Sequence, residues 1–520
     1  MSAGVRSPDH KAVINQAITV LGDLAGDPVA VLRRIATTAS IDDAICLIDG
    51  LLELSSSSPT TPWLHCLLVE FLFVSGRVGD SRLVARRLRA SELPNVARTA
   101  VLTDLLATAR LDPVAAVPAA RRLAADGPNP IELADEGTKQ IEAIAATAVL
   151  AEAAWQDGLL EVSLRLARLA AGQAAAVPSA FWRSYLRFQL AAKLVDVGLA
   201  AEAAGIADQV AASGDRCGHP GNEAAFDLIS AKSLIHAGNP WALQDVAYGQ
   251  TLQAARRMDE RLFTPILLLQ LGIASAYAED FSCAQEYLDE CRQLVDKCDT
   301  AIELAPLRWL ELLVTGAQSG PAAAVDSIQQ LDGSPEQPLL PMFAQLAGSA
   351  AWCARQARLA GARSLLDRVV TIAAQAHRLN PGLPQLGLFE QHVRGLRDGD
   401  PAALAVAATE QEHGWARACA ASDLAMTVQR GGSLLPRARL VARRPMPART
   451  NPADQLGQPL SAREQQVARL VVRGLTNRQI ASRAQCSPHT VNFHIRNIFR
   501  KLGIHSRIEI AHYLPPAADI

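Results

Sequence analysis

The chain is 520 residues long, with 49% hydrophobic and 20% charged residues, so it can bury several hydrophobic cores. It contains no apolar run of about 18 residues, which argues against a membrane-spanning helix. Residues 1–11 are polar and lack the apolar core of a signal peptide, so we expect a cytoplasmic protein.

The formal net charge of −2 conceals a division along the chain. Residues 460–514 contain nine Lys and Arg against two acidic residues, and residues 430–459 contain six Arg against one Asp. The rest of the chain must therefore carry a large negative charge. This division predicts that nucleic acid is attracted to the C-terminal part and repelled by the remainder.

Residues 12–430 are predicted to be almost entirely helical, because Ala, Leu, Arg, Glu and Gln dominate and alternating strand patterns are missing. Turn signals interrupt this region, at intervals of about 40 residues from Gly158 onward. They fall at Gly76, Asp112-Pro113, Gly158, Gly198, Gly238, Asp280, Gly320, Gly361 and Gly399. Two helices in each repeat predict an all-α solenoid, since one helix pair cannot bury its apolar face alone.

The segment 277–288 resembles the centre of a tetratricopeptide repeat, whereas the other repeats match that consensus poorly. We therefore assign residues 1–430 to a tetratricopeptide-like α-solenoid. Solenoids often bind a protein or peptide in their concave groove, and we expect a partner there. Most of the tryptophans of this region are predicted to be core wedges between helices, namely Trp155, Trp182, Trp241, Trp309, Trp352 and Trp415.

Residues 431–457 are rich in Pro, Gly and Arg and show no helical periodicity, which predicts a linker. Its Arg side chains would either add nonspecific phosphate contacts beside a DNA-binding domain or only keep a flexible tether soluble. Both functions are compatible with each other.

Four closely spaced helices are predicted within residues 460–514. The start of each of these helices carries residues that accept a hydrogen bond from a backbone N–H group or, like Pro, have no such group. These are Ser461 with Glu464, Thr476 with Gln479, Ser487 with Pro488, and Ser506 with Glu509. Gly474 and Gly503 supply left-handed stops after the first and third helices.

The third of these helices has one apolar and one polar face at about 100° per residue. The apolar stripe, which should pack on the first two helices, consists of Val491, Ile495, Ile498 and Leu502. The opposite face and its flanks comprise His489, Thr490, Asn492, Phe493, Arg496, Asn497, Arg500 and Lys501. Such a face favours phosphate, and Arg and Asn can read base edges in the major groove.

These helices resemble the LuxR/FixJ-type (NarL-like) helix-turn-helix family of regulators. The matching positions are Leu460, Arg463-Glu464, Gly474, Leu475, Asn477, Ile480-Ala481, Ser487, Thr490-Val491, His494, Ile498, Lys501-Leu502 and Ser506-Arg507. Three positions depart from the family pattern: Gln479 replaces a common Glu, Ala484 a larger apolar residue, and Asn492 a frequent Lys or Arg.

The resemblance implies that the third helix enters the major groove. Asn492, Phe493 and Arg496 would then face the bases. Thr490, His494, Asn497 and Lys501 would lie near the DNA backbone or brace the helix, and Arg500 belongs to the same face. Family members often dimerise through the fourth helix, here residues 506–514, so a homodimer on DNA is expected.

Other chemistry is not apparent in the sequence. No glycine-rich loop ends in Gly-Lys-Ser/Thr, so we expect no ATP-driven switch and no cofactor. Asp42-Asp43 lies in a segment predicted to be helical. We interpret this acidic pair as a helix start or an exposed helix face rather than as a phosphoacceptor site. The nine cysteines follow no metal-binding spacing, so we expect buried thiols and no metal. No GxSxG, HExxH or Ser/His/Asp arrangement occurs, so we expect no enzyme.

The sequence thus predicts a bacterial, sequence-specific DNA-binding transcription regulator with an N-terminal sensor solenoid and a DNA-binding domain at 458–520. Such a protein would be cytoplasmic and associated with the nucleoid when bound to DNA. The alternative is a helical-repeat scaffold or adaptor in which the basic tail is of secondary importance.

Overall fold

The computed structural model describes residues 41–54, 61–125, 136–212, 261–295, 304–334, 338–431 and 460–472, with isolated positions between 228 and 256 and between 480 and 501. Every regular element within these ranges is a helix, which confirms the all-α fold class. The predicted linker, Gly238, Trp241 and most of the C-terminal region after Val472 lie outside the described residues.

The helices before residue 213 are numbered in chain order. They are α1 (Ile41–Leu54), α2 (Thr61–Val74), α3 (Val78–Leu88), α4 (Pro94–Leu111), α5 (Pro113–Ala125), α6 (Glu136–Gln156), α7 (Leu160–Gly172), α8 (Ala180–Asp196) and α9 (Ala200–Ala212).

The numbering continues from residue 264. These helices are α10 (Thr264–Tyr277), α11 (Phe281–Val295), α12 (Leu304–Asp332), α13 (Leu339–Gln345), α14 (Ser349–Leu359), α15 (Arg363–Leu379), α16 (Pro384–Asp398), α17 (Pro401–Glu410), α18 (Gly414–Gly431) and α19 (Ala462–Val472). Gly320 breaks α12 into two parts.

Residues with positive φ angles lie at most of the predicted turns between helices. Positive φ angles occur at Gly76, Gly158, Gly198, Gly320, Gly361 and Gly399, all of which the sequence marked as turns. Glu279 takes this conformation beside the predicted turn residue Asp280, which instead accepts a hydrogen bond from the N–H of Cys283 in α11. Gly348 is a further left-handed turn that the periodicity did not predict.

Ion pairs join side chains that lie about one repeat apart. Their partners are 34 to 36 residues apart in the chain. The pairs are Arg168–Glu202, Asp196–Lys232, Arg256–Glu290 and Asp332–Arg368. Successive helix pairs are therefore placed side by side, while the tetratricopeptide-like assignment and the domain bounds stay predictions.

The turn after α6 contacts helices from more than 180 residues later. The buried Asn380 donates from Nδ2 to the carbonyl oxygen of Gly158 (2.9 Å) and accepts from the N–H of Glu161 (3.1 Å). Gln345 donates from Nε2 to the carbonyl oxygen of Trp155 (2.7 Å). Each bond satisfies a backbone group at the end or start of a helix.

A second pair of long-range contacts involves Trp415. Trp415 at the start of α18 stacks on Tyr277 at the end of α10, with ring centroids 4.1 Å apart. Gly348 lies so close to Trp415 that a Cβ there would be 2.7 Å from the indole ring. Gln345, Asn380 and Trp415 thus contact the ends of α6 and α10.

The core prediction for the tryptophans is confirmed at Trp155, Trp182, Trp309 and Trp352, which are buried. Trp182 makes edge-to-face contacts with Phe73 (4.8 Å between centroids) and with Tyr185 (5.4 Å). Such aromatic packing adds to the free energy from buried apolar area. Asp42 and Asp43 lie in the first turn of α1, as predicted for a helix start.

A buried carboxyl couples α2 to α8. Glu70 on α2 accepts a hydrogen bond from the hydroxyl of Ser179 (2.5 Å), which is also the N-cap of α8. Burial raises the pKa of Glu70 to about 7, although Ser179 and Arg183 lower it in part. The folded protein therefore binds the proton of this carboxyl more tightly than the unfolded chain does.

We expect Glu70→Gln to stabilise the protein at pH 8 and to have little effect at pH 4.5. Between the ordinary pKa of about 4.5 and the folded pKa of about 7, the free energy of unfolding of the wild type falls as pH rises. In this range only the folded state keeps the proton on Glu70, so a rise in pH favours the unfolded state. Gln keeps the size and stays neutral. Urea unfolding followed by tryptophan fluorescence at both pH values measures the difference, and equal midpoints of the two proteins at pH 8 would contradict the prediction.

Candidate nucleic-acid interface

The predicted capping box begins α19. The N–H of Glu464 donates to Ser461 Oγ (3.3 Å), and the N–H of Ser461 donates to Glu464 Oε2 (2.6 Å). Each side chain thereby satisfies a backbone N–H that the first turn of the helix leaves without a partner. This reciprocal capping sets the start of α19 at Ala462, as the spacing of Ser461 and Glu464 predicted.

The same carboxylate reaches a helical residue far along the chain. Lys501 Nζ donates to Glu464 Oε2 at 2.8 Å, and the side chains of Lys501 and Glu464 are 17% and 5% exposed. Burial raises the pKa of Glu464, but the hydrogen bonds from Lys501 and Ser461 outweigh it, so the pKa lies below its ordinary value. Glu464 is thus an anion that joins the start of α19 to the predicted third helix.

An apolar layer lies beside this ion pair. Its members are buried and come from the first three predicted helices of the domain: Val467, Ala468, Val471, Ile480, Val491, Ile495 and Ile498. This confirms the apolar stripe at three of its four positions, and Leu502 lies outside the described residues.

The structure describes two of the eight predicted DNA-contacting residues. His494 is half-buried in a helix, and Lys501 is bound to Glu464. Thr490, Asn492, Phe493, Arg496, Asn497 and Arg500 lie outside the described residues, so their contacts with DNA stay predictions. The sequence identified Glu464 only as a cap, although it is the sole acid before Glu509 in this basic stretch and so a natural partner for a lysine.

The capped helix α19 and the buried apolar side chains of the two later predicted helices agree with a helix-turn-helix type of domain. Residues 458–514 match the luxR family of bacterial regulatory proteins, so this part of the chain is a luxR-type domain, as the resemblance predicted.

Relatives of known name share this region. The two-component response regulator PprB of Pseudomonas aeruginosa is 39% identical over 71 residues, 14% of this chain and 26% of that protein. A nitrate/nitrite response regulator homolog of Haemophilus influenzae is 47% identical over 58 residues, 11% of this chain and 26% of that protein. An HTH-type transcriptional regulator of Mycobacterium bovis is 42% identical over 62 residues, 12% of this chain and 7% of that protein.

These matches each cover 11–14% of this chain, and the chain spans about a quarter or less of the length of these relatives. Within the described ranges, no helix is long and apolar enough to cross a membrane. The described part also holds no group of three His, Cys, Asp or Glu residues placed to bind a metal ion. None of the six described cysteines forms a disulfide bond with another described residue, and four of the six are buried.

We expect Lys501→Met to destabilise the C-terminal domain by about 2 kcal/mol, because it leaves the buried Glu464 carboxylate without its charged partner. Glu464→Gln in the same background should restore part of this loss, since the amide needs no cation. Thermal melts of residues 455–520 followed by circular dichroism measure both effects. Arg469→Met, at an exposed position of α19, is the matched control.

The pH dependence of the same melts gives an independent check. A lowered pKa of Glu464 means that the ion pair contributes stability above the ordinary pKa of about 4.5 and loses it as pH falls through the folded pKa. The difference between wild type and Lys501→Met should therefore shrink below pH 4. A difference that stays constant down to pH 2 would show that the pair does not carry the effect.

Proposed function

We propose that the protein is a sequence-specific DNA-binding regulator of transcription. The luxR-type domain at residues 458–514 carries this proposal, since that family consists of bacterial regulatory proteins. The excess of positive charge in residues 460–514 supports it, because binding of basic side chains to phosphates releases counterions from DNA.

In this proposal the third helix of the domain reads the major groove. Asn492, Phe493 and Arg496 contact base edges, while Thr490, Asn497 and Arg500 contact or approach phosphates. His494 flanks this face. Lys501 acts differently from the others, because its ammonium group is bound to Glu464 and so supports the angle at which the helix meets α19.

The regulator acts as a homodimer on a two-fold site. The fourth predicted helix, residues 506–514, provides the contact between subunits, and the half-sites are about one helical turn of DNA apart. The Arg-rich linker, residues 431–457, adds contacts with phosphates flanking the site. The acidic N-terminal region receives the signal, through a small ligand or a partner protein or peptide, and changes dimerisation or access to the domain.

Arg496→Ala should reduce the preference for the target promoter over random DNA by about 1–3 kcal/mol, because Arg496 is proposed to bind a guanine edge. Arg469→Ala removes the same charge from an exposed position of α19 and should change affinity for both DNAs equally. Fluorescence anisotropy with the intact chain measures both affinities at one fixed salt concentration.

The promoter itself comes from genome-wide recovery of DNA bound to the intact chain. Discrete promoter peaks that disappear on deletion of residues 458–520 support the regulator. A complete lack of such peaks would favour the alternative of a helical-repeat scaffold with a basic tail. Equal losses of promoter preference for Arg496→Ala and Arg469→Ala would contradict the assigned reading helix.

A further inference from the structure

Helix α3 carries a group of arginine side chains within an otherwise acidic region. Residues 82–89 contain four Arg and no acidic residue, and no other eight-residue stretch of residues 12–430 contains four basic residues. The four are Arg82, Arg86, Arg87 and Arg89, of which the last directly follows the helix. We call these four residues the arginine cluster.

One carboxylate on the neighbouring helix α4 binds three members of the cluster. Arg82 Nε and Arg86 Nε donate to Asp104 Oδ1 at 3.3 and 3.1 Å, and Arg89 Nη1 donates to Asp104 Oδ2 at 3.0 Å. Positions 82, 86 and 89 lie on one side of a helix, so the three side chains converge. The side chain of Asp104 is 6% exposed, whereas those of Arg86 and Arg89 are 54% and 43% exposed. The arginines thus extend from a buried anion to the protein surface.

The cluster holds more positive charge than Asp104 needs. One guanidinium group can satisfy a carboxylate through two parallel hydrogen bonds, yet Asp104 binds three of them. Among the described residues, the other carboxylate paired with the cluster is that of Glu142, 3.6 Å from Arg89 Nη2. Four cations therefore face two paired anions, and an excess of positive charge remains when the exposed Glu92 of the following turn is also counted.

The bonds to Asp104 also orient the remaining donors. Arg82 and Arg86 use Nε, and within the described part of the chain their terminal Nη groups have no hydrogen-bond partner. Each of the two guanidinium groups therefore keeps a pair of Nη donors for a second anion. Because Asp104 already restricts these side chains, less side-chain entropy is lost when they bind it. Paired arginine donors suit phosphate, whose oxygen atoms accept bidentate hydrogen bonds.

The spacing of the cluster suits a chain of phosphates. Arg82 and Arg86 are about 6 Å apart along the axis of α3. Successive phosphates of one DNA strand are about 3.4 Å apart along the duplex axis, so a helix that lies along the strand can bind two of them with these residues. A single phosphate group would engage only part of a cluster that continues to Arg89. The cluster therefore fits a nucleic-acid backbone better than a small phosphorylated molecule.

The proposed function brings DNA close to this cluster. A flexible chain as long as the predicted linker, residues 431–457, has a root-mean-square end-to-end distance of about 30 Å. This distance is close to one helical turn of DNA. A luxR-type domain on its target site therefore holds the helical region beside the flanking DNA at a high effective concentration. Because the rest of that region is acidic and repelled by DNA, the cluster is the part that turns toward the duplex.

We propose that the arginine cluster binds backbone phosphates of the DNA that flanks the target site, and so orients the helical region on the promoter. This inference rests on the proposed function, because the luxR-type domain delivers the DNA. Phosphate contacts carry no sequence information. The cluster therefore lengthens the DNA that is needed for full affinity without changing the sequence that is read.

Two duplexes test this proposal with the intact chain. The short duplex contains the target site alone, in about 20 base pairs, since two half-sites lie about one helical turn apart. The long duplex carries the same site with about 20 further base pairs on each side, which exceeds the reach of the predicted linker. Fluorescence anisotropy measures the affinity for each duplex at several salt concentrations.

Arg86→Gln with Arg87→Gln removes two charges and leaves Arg82 and Arg89 bound to Asp104. This double variant should bind the short duplex like wild type. For the long duplex, the ratio of wild-type to variant affinity should fall about tenfold between about 50 and about 200 mM salt. The reason is that each lost phosphate contact lowers the slope of log affinity against log salt by about 0.9.

Arg363→Gln with Arg378→Gln is the matched control, since it removes two charges from exposed positions of α15. It should leave the ratio of long-duplex to short-duplex affinity unchanged. Melting temperatures without DNA show whether both double variants are folded.

The proposal would be overturned if the folded Arg86→Gln, Arg87→Gln protein bound the long duplex like wild type, or if the control lost as much affinity for it. In either case binding of the short duplex would still support the luxR-type domain as a DNA-binding unit. Failure of the wild-type chain to bind the short duplex would instead overturn the proposed function, and this inference with it.

Discussion

The left-handed turn that ends a helix and reverses the chain is the constraint on which the N-terminal fold depends. At Gly158 and at Gly198 the geometry is the same: the N–H of the glycine donates three residues back and the next N–H donates five residues back. The two bonds close the last turn of one helix and set the direction of the next. Repetition of this turn places successive helix pairs side by side, which brings the partners of the ion pairs together.

Features that depend on local sequence were predictable. Glycines at seven of the nine predicted turns indicated where a positive φ angle would be needed, and the six that the structure describes have it. The capping box at Ser461 and Glu464 and the buried stripe of Val491, Ile495 and Ile498 follow from spacing along a single helix. In each case the physical cause lies within a few residues of the chain.

Features that join distant parts of the chain were not predictable from one sequence. Asn380 is polar, and nothing near it in the chain indicates that it binds the turn at Gly158. Gly348 lies outside the 40-residue period of turns, at a position where Trp415 packs closely against it. Glu279 has a positive φ angle, which glycines have at six of the predicted turns. The pairing of Lys501 with Glu464 likewise needed the fold, since the sequence marks Glu464 as the one acid before Glu509 but does not say which of the basic residues it binds.

The contact of Asn380 and Gln345 with the turn after α6 has a consequence for how the helical region unfolds. An open row of repeats has only nearest-neighbour contacts, so its terminal repeats can fray independently of the centre. Hydrogen bonds that span 190 to 222 residues instead tie the turn after α6 to residues far along the chain, so unfolding of the later helices also breaks contacts of the earlier ones. The backbone amides around Gly158 and those of α15 should therefore exchange with solvent at similarly slow rates, although the two segments are far apart in the chain.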